Sequence, residues 1–567
     1  MTLVSRLKTV VSPASGNRRG KTRNALVVVV SGVLAAASLG AVPAHPAVAS
    51  PLLARPMLPR SISMQHLHWT TCYPGAGYPR LKCARVVTPL DWAHPRGPRI
   101  AITVSRIKAS DPAHRHGVLF TNPGGPGGAG LALPLFIPET DPRVAAAFDL
   151  IGIDQRGVGS AAPTLRCSGR SLLTRLYNLD GRDTSRDNQA KIKRLDKRFA
   201  RRCSSAPLTR YIQHSQTVQD FDLVRRLLHE RTINYLGFSA GTQLGAWYAA
   251  TFPDHVGRFV FDGNLDWTSL TYQSFARQPR GFQISFEHYL EPWMAGHNAV
   301  YHLGHTVRAV DATYEHRRDR LTRHPVTLTD GTTLTAAGYD SGITSALYVT
   351  ASYPQLSAAM SILERYPSAT RKEKKLVTQV FSSSAEGQDP FWSIVCQDDR
   401  SPSYAHVVRD ANDFRRRYPL VGANWNVDVC PFFTLPTTGS PVRGENLPGL
   451  LMLNNDEDPA TPLHNAQVAR AHTPAARLVT VRNEAQHTIY GYGDACADGY
   501  ANRWLLRGVL PQHDVSCPGL PLPSAQSVAR AVAPPAAAAS RTAVPMRLPV
   551  ELWLRRFTVQ HGQPDVR

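Results

Sequence analysis

Along this chain, short apolar runs alternate with longer segments whose apolar positions recur every three to four residues. The first kind of pattern predicts strands and the second predicts amphipathic helices. Strands are expected at Val86–Trp92, Ile100–Ile107, Gly117–Thr121, Phe148–Ile153, Ile233–Leu236 and Phe259–Phe261. Val218, Phe221, Val224 and Leu228 share one helical face, as do Leu244, Trp247 and Tyr248 before Pro253 ends that helix. From Asp266 the alternation stops, and a helical pattern rich in aromatics (Phe275, Phe282, Phe286, Tyr289, Trp293) takes over. Strand signals resume at Gly449–Leu453 and Leu478–Val481. The expected fold is α/β, with a mostly parallel sheet interrupted by an inserted helical cap.

Segment by segment, the organisation expected is a leader at 1–49, a lead-in or pro-segment at 50–61 and a first core part at 62–265. The cap follows at 266–435, a second core part at 436–520, and a Pro- and Ala-rich linker and tail at 521–567. The leader carries Arg6, Lys8, Arg18, Arg19, Lys21 and Arg23 with no acid, then the apolar run Ala25–Leu39, then Ala47-Val48-Ala49 before Ser50. That is the pattern of a secretory signal peptide cleaved near Ala49. The apolar run is shorter than the roughly 20 residues of a spanning helix, so no stable membrane insertion is expected.

Charge and cysteines refine this picture. A net charge of +22 suits an anionic surface, but no nucleic-acid-binding motif accompanies it, so no nucleic-acid partner is expected. All eight cysteines lie beyond the leader: Cys72, Cys83, Cys167, Cys203, Cys396, Cys430, Cys496 and Cys517. Their even number and the lack of any C-x-x-C favour disulfides over zinc or redox use. The simplest pairing is sequential, although spacing alone leaves other connectivities open.

Chemistry concentrates at strand ends, where parallel sheets hold their ligands. Gly237-Phe238-Ser239-Ala240-Gly241 sits between a predicted strand and a predicted helix. A serine at so sharp a turn has an exposed hydroxyl, and the glycines let strand and helix pass closely. Asp458 and His487 each follow a later strand, in the chain order Ser, Asp, His. Serine needs a histidine to take its proton, and that histidine needs a carboxylate to orient it. Asp456 and Asp262 also stand at strand ends and remain alternative acids. The oxyanion needs N–H donors, available at Ala240 and in the loop Asn122-Pro123-Gly124-Gly125-Pro126-Gly127-Gly128, at Gly124 or Gly125. This chemistry calls for no cofactor and no metal.

The N-P-G-G-P-G loop, D-Q-R-G-V-G-S from Asp154, G-F-S-A-G and D-P-A-T-P with a late histidine resemble the proline iminopeptidase family of α/β-hydrolases. The likeness is greatest to the secreted tripeptidyl aminopeptidases of mycelial bacteria and spans roughly Trp69 to Leu520. It implies an α/β-hydrolase fold, with Ser239 as nucleophile, Asp458 as orienting acid, His487 as base, and Gly124 and Ala240 for the oxyanion. Ser393-Ile394-Val395-Cys396-Gln397-Asp398 resembles a motif at the cap's end, which implies that Cys396 is disulfide-bonded. Gln486 and Thr488 stand where that family usually has glycine, and Ala240 where an aromatic is common.

The expected activity is that of a secreted serine exopeptidase releasing short peptides, tripeptides by the resemblance, from free N-termini. An esterase and a non-catalytic binding protein are the alternatives, because fold and triad do not set the acyl group. An aminopeptidase must anchor an ammonium, for which the cap offers Glu287, Glu291, Asp398 and Asp399. The sequence does not set the oligomeric state.

Overall fold

The computed structural model describes residues 58–524, apart from 383–386, 438 and 440. The expected signal peptide, most of the lead-in and the tail beyond residue 524 lie outside the described residues.

Apolar runs too continuous for a half-exposed strand fold into a sheet buried on both faces. Its strands are β1 (Thr70–Thr71), β2 (Lys82–Pro89), β3 (Arg99–Ile107), β4 (Val118–Asn122), β5 (Asp149–Asp154), β6 (Ile233–Phe238) and β7 (Val256–Asp262). A small hairpin of β8 (Val326–Thr327) and β9 (Thr333–Leu334) stands apart, and β10 (Leu450–Asn455), β11 (Arg477–Arg482) and β12 (Val515–Pro518) complete the sheet. The order is β1-β2-β3-β5-β4-β6-β7-β10-β11-β12. From β5 to β12 every neighbouring pair is parallel, whereas β1, β2 and β3 are antiparallel to their neighbours.

Strand periodicity divides the core between the two faces. In β6, Leu236 and Phe238 join Phe136, Val260, Leu451 and Val479 on one side. Ile233 and Tyr235 join Phe120, Phe221, Phe259 and Met452 on the other. The helix His214–Leu227 buries Val218, Phe221 and Val224 of the expected stripe, while Leu228 is its half-buried C-cap. The β2 strand starts earlier than expected and stops at Pro89, which lacks an N–H for the ladder. Trp92 therefore lies beyond the strand, with its indole N–H donating to Asp220 at 2.8 Å. Strands β1 and β12 and the hairpin were not expected from the pattern; they are short and only partly apolar.

Between β7 and β10 the chain forms the helical insertion, with a core of its own that includes Phe282, Phe286, Trp293, Tyr314, Tyr339, Tyr353 and Phe381. Disulfides join Cys72–Cys83, Cys167–Cys203, Cys396–Cys430 and Cys496–Cys517, the sequential pairing, and no cysteine is free. Among the described residues no helix is long and apolar enough to cross a membrane.

Candidate active site

Strand register brings the site together. Asn122 of β4 lies beside Gly237 of β6, Phe238 beside Asp262 of β7, and Asp262 beside Leu453 of β10. The carboxyl ends of four strands are thus level, and the segments after them meet where the chain reverses direction across the sheet.

Ser239 directly follows β6 at φ 55° and caps the start of the helix Ala240–Thr251. A non-glycine residue in this region is uncommon and marks a constrained turn. The Ser239 N–H donates to the Asp262 carbonyl at 2.8 Å, which ties the turn to the end of β7. A Cβ on Gly124 would lie 2.4 Å from the Phe238 carbonyl oxygen and 2.9 Å from the Ala240 nitrogen. A Cβ on Gly241 would lie 2.8 Å from Asn122 Oδ1. These glycines let the β4 loop press directly on the serine turn.

That loop corrects one expectation. The Gly124 N–H donates to Asn122 Oδ1 at 2.9 Å, so it is turned away from an incoming oxyanion. Gly125, at φ 110°, is the remaining donor of the two glycines named from the sequence. Ala240 opens a helix, so its N–H has no carbonyl a turn earlier to bond.

His487 and Asp458 are fully buried and paired. The imidazole Nδ1 lies 2.9 Å from both Oδ1 and Oδ2 of Asp458. The carboxylate also accepts from the Ala460 N–H at 2.9 Å, the Thr461 N–H at 2.7 Å, the Thr461 hydroxyl at 3.0 Å and the Thr488 N–H at 3.3 Å. With donors on every side, the carboxylate accepts the proton on Nδ1, which leaves Nε2 as the basic nitrogen. Gly263, directly after the residue that holds the Ser239 N–H, faces the other side of the imidazole: a Cβ there would lie 3.0 Å from His487 Cε1. Serine turn and histidine therefore flank the same two-residue bend.

The competing acids are engaged elsewhere. Asp456 accepts from the Asn483 and Glu484 N–H groups at 2.9 and 3.1 Å. Asp262 is completely buried and accepts from the Ile489 and Tyr490 N–H groups at 2.9 and 2.7 Å. Burial, with nearby Asp458 adding to it, pushes the Asp262 carboxyl up to about 7 against those hydrogen bonds and the neighbouring His487. It clamps the segment that follows the histidine, where Thr488 is forced to φ 64°. A β-branched residue rarely adopts that conformation. The Thr488 hydroxyl meets the Tyr492 hydroxyl at 3.0 Å and helps to hold it.

Of the cap acids named from the sequence, two are committed inside the fold. Asp398 binds His214 through its ring at 2.6 Å and its N–H at 3.0 Å, and Asp399 accepts from the Thr271 N–H at 2.6 Å. Neither is placed to receive a substrate amine. Glu287 is exposed and accepts from Gln283 at 2.8 Å. Glu291 is buried, and its Oε1 has no hydrogen-bond partner among the described residues. Burial, then Asp311 and Glu287, pushes its carboxyl up to about 8. This part of the cap rests on the histidine loop through the Ser285 hydroxyl, which donates to the Ala485 carbonyl at 3.2 Å.

Three contributors went unnoticed in the sequence. Tyr348 packs edge-on against His487 with ring centroids 5.3 Å apart, and its carbonyl accepts the His487 N–H at 2.9 Å. No local pattern marks it. Thr461 was legible as a hydroxyl closely following Asp458, and Asn122 as the polar residue ending β4.

The TAP-like protein family matches residues 418–517, the stretch that carries Asp458 and His487. A tripeptidyl aminopeptidase of Streptomyces lividans is 28% identical over 477 residues, covering 80% of this chain and 86% of that one. Serine protease Hip1 of Mycobacterium tuberculosis is 28% identical over 485 residues, covering 80% and 91%. A protein named carboxylesterase B, from the same organism, is 28% identical over 457 residues, covering 77% and 86%. Strand order, the serine turn and these likenesses agree: the chain is a serine hydrolase of α/β-hydrolase fold, and its residues 418–517 are similar to the TAP-like protein family.

Proposed function

We propose that this hydrolase is a secreted aminopeptidase that releases short peptides, tripeptides by the relatives' example, through an acyl-enzyme on Ser239. The observation that carries the reading is the buried His487–Asp458 pair facing the bend that fixes Ser239. His487 Nε2 takes the hydroxyl proton as Ser239 attacks the scissile carbonyl, then returns it to the leaving amine. The Asp458 carboxylate holds the imidazole and stabilises its cation. The Ala240 and Gly125 N–H groups receive the oxyanion. Water repeats the sequence on the acyl-enzyme, with His487 again the base.

Glu291 supports the choice of an amine-terminated substrate. A buried carboxyl oxygen without a hydrogen-bonding partner, as Glu291 Oε1 is among the described residues, is costly unless a cation or donor reaches it. An α-ammonium would draw its proton off and pair with the carboxylate. Export is supported by the leader pattern and by four disulfides, which persist in oxidising compartments.

The test compares kcat/KM for one short chromogenic peptide with its N-terminus free and then acetylated. A lost charge-assisted bond is worth about 1.5–3 kcal/mol, so acetylation should lower kcat/KM by about one to two powers of ten. Glu291→Gln should shrink that difference, and Ser239→Ala should abolish turnover of both peptides. The likeness to carboxylesterase B favours a second reading, an esterase. Equal rates for both peptides, or faster hydrolysis of simple aliphatic esters, would select it.

A further inference from the structure

At the opposite end of the sheet from Ser239, a cleft of about 520 Å³ is lined by Trp69, Arg80, Lys82, Arg106, Lys108 and Ala109. Its position follows from the register. Arg106 of β3 lies beside Ile151 near the start of β5, whereas the serine turn follows the carboxyl ends of β4 and β6. Substrate bound at Ser239 does not reach it.

The cleft gathers like charges that the fold alone would keep apart. Lys82 of β2 and Arg106 of β3 are directly opposite one another, an arrangement that destabilises a sheet. Arg106 carries its guanidinium 4.1 Å over the Trp69 ring, which fixes the plane of the fork. Lys82 Nζ donates to the Thr71 hydroxyl at 3.0 Å, a neutral partner. Arg80 donates to the Lys108 carbonyl at 3.2 Å, and both side chains lie exposed at the rim. Among the described residues none of these four cations forms an ion pair. Asp149, the acid whose charge acts on Arg106, is engaged by Arg115 at 3.3 Å and by the Ala109 N–H at 2.8 Å.

We propose that this cleft binds the phosphate groups of an anionic polymer and docks the enzyme on it. Four cations in an open cleft match a ligand with several negative charges better than a single anion. A fixed guanidinium fork beside an ammonium is suited to phosphate, which it pairs through two parallel N–H bonds. Bound phosphate also offsets the repulsion between Lys82 and Arg106. The site is independent of the peptidase reading, since no residue in it touches the serine turn.

The experiment titrates the whole protein with tripolyphosphate and with long-chain polyphosphate, by calorimetry at low and high salt. Wild type should bind both, more weakly as salt rises. Lys82→Gln and Arg106→Gln should each raise Kd by about tenfold or more, the loss of one charge-assisted bond. Without phosphate, Lys82→Gln should melt no lower than wild type, because it removes a repulsion. Both variants should hydrolyse a small chromogenic substrate at the wild-type rate. Tighter binding per phosphate by the long chain identifies a polymer as the source, and equal binding identifies free oligophosphate and overturns the docking role. Substituting the remote Arg415, Arg416 and Arg417 together by glutamine should leave Kd unchanged. An equal loss in that variant, or poly-glutamate binding as tightly as polyphosphate, would overturn the phosphate site.

Discussion

Asp458→Asn is the substitution whose consequence the geometry defines best. Every group around the Asp458 carboxylate can donate: the Ala460, Thr461 and Thr488 N–H groups, the Thr461 hydroxyl and His487 Nδ1. An asparagine keeps one acceptor oxygen, and two backbone donors at 2.9 and 2.7 Å hold it at the Oδ1 position. Its amide nitrogen then takes the Oδ2 position and donates to His487 Nδ1. The imidazole must shift its proton to Nε2 and can no longer accept one from Ser239. In a worked serine-protease case the same change lowers kcat about 10⁴-fold, which corresponds to about 5.5 kcal/mol of transition-state stabilisation. The same order is expected here, with KM little changed because no substrate contact is lost.

Asp262→Asn is the control. Its carboxylate serves two backbone N–H groups, and asparagine keeps one acceptor for them. It should lower stability by about 1–3 kcal/mol but cut kcat by no more than about tenfold. The assay is kcat and KM on a chromogenic peptide for both variants, beside thermal unfolding. A larger kcat loss in Asp262→Asn than in Asp458→Asn would refute the assignment of the acid. So would a wild-type kcat in Asp458→Asn.

Gly124→Ala should cost about a hundredfold in kcat/KM while the protein stays folded, because its Cβ must displace the Phe238 carbonyl and the Ala240 nitrogen by an ångström or so; a wild-type rate would show that this loop does not set the serine turn. Cys496→Ser should lower stability by about 2–4 kcal/mol in denaturant titrations, since Cys496–Cys517 ties β12 to the helix Ala495–Arg507. Glu291 binds its proton up to about pH 8 in the folded chain but only to its ordinary 4.5 when unfolded. Its contribution is therefore fully present below 4.5 and lost as pH rises through 8, and Glu291→Gln should flatten that decline when midpoints at about pH 5 and pH 9 are compared.

The local pattern of this chain determined a good deal. Apolar runs bounded by glycine and polar residues set the strands, because a strand buried on both faces has little room for polar side chains. Glycines around Ser239 marked the sharp turn, because a Cβ at Gly124 or Gly241 meets backbone or Asn122. The order Ser239, Asp458, His487 was legible because each follows a strand of one sheet.

Tertiary structure alone decided between groups that look alike along the chain. Asp262, Asp456 and Asp458 all follow strand ends that register makes level, so sequence position could not rank them. What separates them is the direction of each loop: one carboxylate meets His487, one the Asn483 turn and one the Ile489–Tyr490 segment. Gly124 and Gly125 are adjacent, yet Asn122 takes only the first N–H. Asp398 and Asp399 resemble free cap acids until His214 and Thr271 arrive from distant parts of the chain. A carboxylate's role depends on which donors reach it within about 3 Å, and those donors come from segments that only folding brings together.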